Sequence, residues 1–221
     1  MITAVLFDID GTLVDSNDAH ASAWVDALAQ AGQQVSFEQV RPLIGMGGDK
    51  LLPTLTGIDP ESGDGKAIAE SRASIFRERY LPTLASTDGA ADLVRALNAH
   101  DLRLGIATSA KAEEVAALLR VAGADGLFTA TGSSDDVDRS KPDPDIVHAA
   151  LARVGVSATS AVMVGDTPYD IEAARRAGVP CIALRCGGWW SDADFAGAAQ
   201  IVDTPRQLLD RWRDGDVPTL R

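Results

Sequence analysis

The chain has little cysteine, little positive charge and no long hydrophobic run. Only Cys181 and Cys186 occur among its 221 residues, which excludes a disulfide scaffold and leaves too few ligands for a cysteine zinc site. A formal net charge of −12 argues against nucleic acid and anionic membranes as partners. No apolar run approaches the roughly 18–20 residues of a membrane helix, and no signal peptide is recognisable. We therefore expect a cytoplasmic, monomeric protein with reduced thiols.

Short apolar runs alternate with helical patterns along most of the chain. This alternation predicts an α/β fold in which helices cover both faces of a parallel sheet. The predicted strands are Ala4–Phe7, Leu102–Ala107, Gly126–Ala130, Ala161–Val164, Cys181–Leu184 and Gln200–Val202. The helices predicted to follow them are Ala112–Ala122, Pro144–Val154, Tyr169–Ala177 and Arg206–Arg213.

The stretch from Asp15 to Ala85 has helical patterns but no convincing strand. These patterns are Asp18–Ala31, Ser36–Leu43, Asp49–Leu55 and Ala67–Tyr80. They predict an all-helical cap of residues 15–85, inserted into a core of residues 1–14 and 86–221, with hinges at Leu13–Ser16 and Leu84–Asp88. The glycine-rich loop over 45–50 is either a substrate-facing edge of this cap or a plain helix connection, and both interpretations stay open.

Four polar segments follow predicted strands, which is where an open α/β sheet binds its ligands. They are Asp8-Ile9-Asp10-Gly11-Thr12, Thr108-Ser109, Ser140-Lys141-Pro142-Asp143-Pro144 and Gly165–Asp170. Each alone has an ordinary structural interpretation, such as a turn or a helix cap. Their joint occurrence at strand ends is the specific signal.

The combined set fits phosphoryl transfer. Asp8 and Asp166 offer oxygen ligands to a hard cation such as Mg²⁺, and Lys141 would offset phosphate charge with it. Thr108 and the backbone N–H groups after Asp8 would bind the remaining phosphoryl oxygens. Asp8 would attack as a nucleophile, and Asp10 would protonate the leaving oxygen and later deprotonate water. We expect Asp8 to stay ionised and Asp10 to be the more easily protonated acid.

These segments resemble the four motifs of the haloacid dehalogenase-like superfamily. Asp8–Val14 is similar to the first motif, Thr108 to the second, Lys141 to the third and Gly165–Asp170 to the fourth. The helical insert resembles the cap of the branch that contains phosphoglycolate phosphatase and β-phosphoglucomutase. The resemblance covers nearly the whole chain and runs in the family's motif order.

The resemblance implies a Rossmann-like, doubly wound core and a bound Mg²⁺. It implies that Asp8, Asp166 and the backbone carbonyl of Asp10 ligate the metal. By the same resemblance, Asp170 would support Lys141 or a metal-bound water. Haloacid dehalogenases lack an acid at the position of Asp10, so its presence argues against dehalogenation.

β-Phosphoglucomutase is the rival within this family. The stretch around His20 resembles that mutase, in which a histidine helps to couple cap closure to catalysis. The mutase has a cap-loop arginine near the position of Gly48, and its fourth motif usually has glutamate where this chain has Gly165. Both differences favour water as the phosphoryl acceptor, although Lys50 or Arg41 would still be available to contact a phosphate.

The sequence thus predicts a Mg²⁺-dependent phosphatase of small phosphorylated metabolites. The candidate phosphate contacts are Gly11, Ser109, Lys141, His20 and Lys50. A sugar-phosphate mutase and, from another class, a non-catalytic phospho-ligand-binding protein are the alternatives. Trp189 and Trp190 either line the entrance or pack at a hinge. The substrate itself is not predicted.

Overall fold

A computed structural model describes residues 1–132, 137, 139–217 and 220 of the chain. Its strands are β1 (Ala4–Phe7), β2 (Arg103–Ala107), β3 (Ala130–Gly132), β4 (Ala161–Gly165), β5 (Cys181–Leu184) and β6 (Gln200–Val202). They form one parallel sheet in the order β3-β2-β1-β4-β5-β6. This is the doubly wound order, and its direction reverses between β1 and β4.

Residues 15–85, which follow β1, fold mainly as helices. They are α1 (Asn17–Gln30), α2 (Phe37–Val40), α3 (Gly48–Thr56) and α4 (Gly63–Ile75), with a π-helical turn over Phe76–Tyr80. We call residues 15–85 the cap segment. Its two connections to the core run side by side, because Asp15 N–H donates to the Ala85 carbonyl and Thr87 N–H to the Leu13 carbonyl, both at 3.0 Å. The domain boundaries themselves stay a prediction.

Both faces of the sheet are covered, as the alternating pattern predicted. The remaining helices are α5 (Ala90–Asn98), α6 (Ala112–Val121), α7 (Asp145–Val154), α8 (Pro168–Arg176) and α9 (Pro205–Arg213). Val5 and Phe7 of β1 face α5, α6 and α9, whereas Ala4 and Leu6 face α7 and α8. All four residues are fully buried because a strand alternates its side chains between two hydrophobic layers.

The predicted third strand was wrong, and α5 was not predicted. The strand begins at Ala130, whereas the prediction had it end there. Gly126 has φ +72°, a left-handed conformation that does not belong to a strand. In α5, Leu93, Val94 and Leu97 are buried at helical spacing. The helix was overlooked because it directly follows the cap segment, without a strand before it.

Candidate active site

The candidate active site lies at the carboxyl ends of the neighbouring strands β1 and β4. Asp8 directly follows β1, and Asp166 directly follows β4. Asp8 N–H donates to the Val164 carbonyl at 2.9 Å, which ties the two strand ends together. The strand order reverses at this point, so the two acids flank the crevice in which such sheets bind ligands.

Lys141 is completely buried between two carboxylates. Its Nζ lies 2.6 Å from Asp8 Oδ1 and 2.7 Å from Asp170 Oδ1. Burial alone lowers the pKa of this amine, but the charges of Asp170 and Asp8 outweigh burial and hold the pKa above its usual value. Lys141 is therefore a fixed positive charge beside Asp8.

Three buried carboxylates lie close together here, and two of them pair with this lysine. Asp8, Asp166 and Asp170 each place one oxygen within 4.8 Å of the others. Asp166 accepts hydrogen bonds from Thr12 Oγ1 at 3.1 Å and from Asn17 Nδ2 at 2.7 Å. The carboxylates are thus held in place by neighbouring donors, in a cluster that offers several oxygen ligands.

Lys141 alone does not offset the negative charge that the three acids would carry if all were ionised. Burial raises the pKa of Asp8 to about 7, with repulsion from Asp170 adding to this effect and Lys141 opposing it. Burial, Asp170 and Asp8 together raise the pKa of Asp166 well above its usual value. A cation among these oxygens would favour the ionised acids, and Mg²⁺ prefers such oxygen ligands. The donor set therefore fits Mg²⁺.

Two glycines leave room for the acids. A Cβ on Gly187 would lie 1.9 Å from Asp166 Oδ2, and a Cβ on Gly165 would lie 2.5 Å from the Asp170 side chain. Both distances are far below any contact that a real Cβ makes. Glycine at these positions lets the backbone close tightly around the cluster.

Asp10 is held by the cap segment. Ser16 Oγ donates to Asp10 Oδ1 at 2.5 Å, and His20 Nε2 lies 2.8 Å from the same oxygen. Burial alone would raise the pKa of Asp10, but the charge and hydrogen bond of His20 and the hydrogen bond of Ser16 lower it. Without a cation, Asp10 is thus the more readily ionised of the two acids, whereas the prediction, made for Asp8 beside a metal and Lys141, has Asp8 ionised. His20 stabilises ionised Asp10, whereas burial outweighs the effect of Lys141 on Asp8.

A small cavity of about 60 Å³ adjoins these acids. Its walls include residues 44–48, so this loop faces the site rather than only connecting two helices. Its other lining residues are Asp8, Asp10, His20, Trp24, Arg72, Thr108, Ser109, Ala110 and Glu114. The volume is far below the roughly 300–1,000 Å³ of pockets for drug-sized molecules, which favours a small ligand.

Lys50 lies away from this cavity, at a contact between the cap segment and the core. Its Nζ donates to the Ser140 carbonyl at 2.7 Å and forms an ion pair with Asp143. This geometry does not match the predicted phosphate contact. Of the other candidates, Asp8, Asp10, His20, Thr108 and Ser109 line the cavity, and Gly11, Lys141, Asp166 and Asp170 surround or form the acidic cluster.

Comparison with known proteins shows the family of this chain. Residues 5–184 match the haloacid dehalogenase-like hydrolase family. The chain belongs to that family. The matched range contains all four polar segments, from Asp8 to Asp170, so the predicted membership and the predicted hydrolase class are confirmed.

Curated relatives in this hydrolase family include proteins named as phosphatases. A phosphoglycolate phosphatase of Yersinia pestis is 34% identical over 197 residues, which are 87% of this chain and 84% of the relative. Pyrophosphatase PpaX of Bacillus velezensis is 33% identical over 178 residues, 80% of each protein. The chain is also 32% identical to the chloroplastic SUPPRESSOR OF QUENCHING 1 of Arabidopsis thaliana over 191 residues, but spans only 18% of its length.

Solved structures show that the whole fold recurs in the family. A hydrolase from Pseudomonas syringae superposes with a TM-score of 0.88 at 29% identity, covering 96% of this chain and 98% of the other. A β-phosphoglucomutase from Clostridium difficile superposes with a TM-score of 0.82, covering 98% and 97% of the chains. At 18% identity, the second likeness shows the fold alone.

Among the residues at this candidate site that were not predicted are Asn17, Arg72 and Glu114. Only Arg72 carries a signal in the sequence. It shares one face of α4 with buried Ile68 and Ile75, and a cation on an apolar helix face is unusual. Asn17 and Glu114 lie in the first turns of helices, where polar residues are common. Their contacts with Asp166 and Arg72 could therefore be found only from the structure.

The two adjacent tryptophans lie in the turn after β5. The guanidinium carbon of Arg41 is 5.5 Å from the ring centroid of Trp189, and Trp190 meets Tyr169 edge to face at 6.1 Å. Neither ring belongs to the described lining of the small cavity. This placement favours packing for Trp190, whereas Trp189 is 41% exposed.

Proposed function

We propose that this hydrolase is a Mg²⁺-dependent phosphatase of small phosphorylated metabolites. The observation that carries the proposal is the cluster of Asp8, Asp166 and Asp170, in which buried Lys141 pairs with Asp8 and Asp170, beside a cavity of about 60 Å³. The relatives named phosphoglycolate phosphatase and pyrophosphatase support the same reaction class. The small cavity supports a small substrate.

The residues around the cluster divide the binding of a phosphoryl group between them. Asp8, Asp166 and the backbone carbonyl of Asp10 would hold Mg²⁺, which when bound offsets phosphate charge. Lys141 adds a second positive charge at Asp8. The buried Thr108 hydroxyl on the cavity wall would donate to a phosphoryl oxygen.

Asp8 would carry the phosphoryl group as an aspartyl-phosphate. Its carboxylate oxygen attacks phosphorus while the bond to the leaving oxygen breaks, and Asp10 gives that oxygen a proton. Water then attacks phosphorus while the bond between phosphorus and the Asp8 oxygen breaks, Asp10 takes the water proton, and inorganic phosphate leaves. His20 lowers the pKa of Asp10 in the free protein, but a neighbouring phosphate dianion raises it, because like charges disfavour ionisation.

Phosphate release from a panel of phosphorylated metabolites, with Mg²⁺ and with a chelator, tests this proposal. We expect release to need Mg²⁺ and to fall at least about 10³-fold in Asp8→Asn, because the variant lacks the nucleophile. Asp15→Asn, at an exposed position nearby, is the matched control and should keep its activity. Metal-independent release, or full turnover in Asp8→Asn, would contradict the mechanism.

A sugar-phosphate mutase is the second candidate, because Arg72 and His20 of the cap segment line the cavity and could meet a second phosphate. Isomerisation of glucose 1-phosphate without net phosphate release would favour it. Tight phospho-ligand binding without turnover would favour a non-catalytic binding protein.

Nothing further about location or assembly follows from the fold. Within the described parts of the chain, no helix combines the length and apolar character that crossing a membrane requires. The cytoplasmic location, the monomeric state and the absence of nucleic acid or membrane partners stay predictions.

A further inference from the structure

The side chain of Asn17 joins the cap segment to Asp166. Asn17 is the first residue of α1 and is only 2% exposed. Its Nδ2 donates to Asp166 Oδ2 at 2.7 Å, and Thr12 Oγ1, from the loop after β1, donates to the other oxygen at 3.1 Å. Each carboxylate oxygen of Asp166 therefore has a protein donor, and the donor to Oδ2 belongs to the cap segment.

The amide of Asn17 also has an acceptor that no side chain or backbone group satisfies. Oδ1 is buried and has no hydrogen-bond partner among the described residues. The two polar atoms of one amide are only about 2.3 Å apart, so Oδ1 lies within about 5 Å of Asp166 Oδ2. A buried acceptor is costly unless it is hydrogen-bonded. An acceptor this close to Asp166 suits a proton of water held by a cation, and Mg²⁺ keeps several waters when bound.

A second side chain of the cap segment contacts the turn that packs on Asp166. Gly187 lies against this acid, since a Cβ at Gly187 would collide with Oδ2. The Gly187 carbonyl accepts hydrogen bonds from Nη2 of Arg41 and, at 3.5 Å, from Nδ2 of Asn17. Arg41 is 2% exposed, and its Nε donates to Asp18 at 2.6 Å. Two buried donors of the cap segment thus reach the immediate surroundings of Asp166.

We infer that Asn17 is a positioning residue for the cation and makes cation affinity depend on the position of the cap segment. Nδ2 fixes the direction of Asp166 Oδ2, and Oδ1 accepts a proton of cation-bound water. A cap segment that moves away takes both groups with it. Because coupling between two equilibria is reciprocal, a bound cation also holds the start of α1 against the core. The inference rests on the Mg²⁺ of the proposed function.

Binding of Mn²⁺ without substrate tests the role of Asn17 apart from catalysis. Mn²⁺ suits the same oxygen ligands as Mg²⁺, and electron paramagnetic resonance measures the free ion. We expect Asn17→Ala to raise the Kd of Mn²⁺ at pH 7.5 roughly 10- to 100-fold, the loss typical of removing the partner of a metal ligand. Asn98→Ala is the matched control, because Asn98 is exposed at the end of α5. It should change the Kd less than about twofold.

Hydrogen exchange tests the link to the cap segment. Saturating Mg²⁺ should slow exchange of the backbone amides over 20–24 and 186–188 of the wild type at least about threefold. In Asn17→Ala, at a Mg²⁺ concentration that again saturates the site, the amides over 186–188 should still be slowed and those over 20–24 should not. The link to the cap segment is thereby measured separately from the affinity.

The variants of Asn17 and Arg41 separate a positioning role from a structural one. An unchanged Mn²⁺ Kd in Asn17→Ala, whatever its Tm in a chelator, would leave Asn17 a structural role only and overturn the inference. Equal slowing over 20–24 in the wild type and this variant would overturn the link to the cap segment. Arg41→Lys should raise the Kd less than Asn17→Ala, because Arg41 acts only through Gly187. A larger rise in Arg41→Lys would assign the coupling to Arg41 instead.

A failure of the proposed function would look different. Asn17→Ser, with a side chain shorter than the amide, should also raise the Kd of Mn²⁺ and serves as the test if the alanine variant does not fold. A wild type that binds neither Mn²⁺ nor Mg²⁺ at millimolar concentration, and releases phosphate equally with a chelator, would contradict the Mg²⁺ dependence on which the inference rests.

Discussion

Gly11 is the residue that brings the loop after β1 close to the acidic cluster. Its φ is +74°, and a Cβ at this position would lie 2.1 Å from both Asn17 Nδ2 and Asp166 Oδ2. The left-handed backbone and the close approach each favour glycine. A larger residue at position 11 would therefore both destabilise the fold and displace the Asp166 side chain.

We predict that Gly11→Ala lowers the free energy of unfolding by about 2–4 kcal/mol, measured by urea denaturation. The left-handed conformation contributes about 1–2 kcal/mol, and the clash adds roughly 1–2 kcal/mol more. Gly32→Ala is the matched control, since Gly32 has φ +77° but nothing within 4 Å of a new Cβ. It should lose only the conformational part. An equal loss of unfolding free energy in the two variants would show that the close approach at Gly11 contributes nothing to the destabilisation.

Among the elements, the start of α3 binds the segment that carries Lys141. Gly47 N–H donates to Ser140 Oγ at 3.0 Å, and Lys50 donates to the Ser140 carbonyl and pairs with Asp143. The position of the cap segment is thereby coupled to that of Lys141. Lys50 would act in this coupling rather than on phosphate directly.

We predict that Lys50→Met speeds hydrogen exchange of the backbone amides in 44–48 and 139–143 roughly three- to tenfold. A partly buried ion pair contributes about 1 kcal/mol to keeping the two segments together. Lys66→Met is the control, because Lys66 pairs with Glu61 at 3.1 Å on the exposed surface of the cap segment. Unchanged exchange in Lys50→Met would mean that other contacts alone hold the cap segment at this point.

For the whole molecule, the buried carboxyls of Asp8 and Asp166 make stability depend on pH and on a cation, because both have raised pKa values. The pKa of Asp8 is raised from 3.8 to about 7, so the folded protein keeps a proton that the unfolded chain loses above about pH 4. Without a cation, stability should therefore fall as the pH rises from about 4 to about 7. A bound Mg²⁺ would counteract this loss.

We predict that Mg²⁺ raises the Tm more at pH 7.5 than at pH 5. At a concentration 100 times its Kd, Mg²⁺ adds about 2.7 kcal/mol, which corresponds to roughly 5–10 °C for a chain of this size. At pH 5 the shift should be less than half as large, because protons compete for the acids. Sodium chloride at matched ionic strength and Asp166→Asn are the controls, and both should show little shift. An equal shift at both pH values would contradict this coupling.

The amino-acid sequence by itself determined the sheet and the set of candidate acids. β1, β5 and β6 have the predicted bounds, because short apolar runs bordered by polar turns are local patterns. Asp8, Asp10 and Asp166 follow such runs at the same edge of a parallel sheet. Their proximity could therefore be inferred before any coordinates were known.

Only the tertiary structure decided which groups face one another. Asn17 meets Asp166 across 149 residues of sequence, and Arg72 meets Glu114 across 42, and no local pattern identifies either partner. The pKa order of Asp8 and Asp10 follows from burial and from the reach of His20, neither of which is a local property. Periodicity predicts elements and the edge at which their polar ends meet. The pairing of side chains across the cap segment and core depends on how those elements pack.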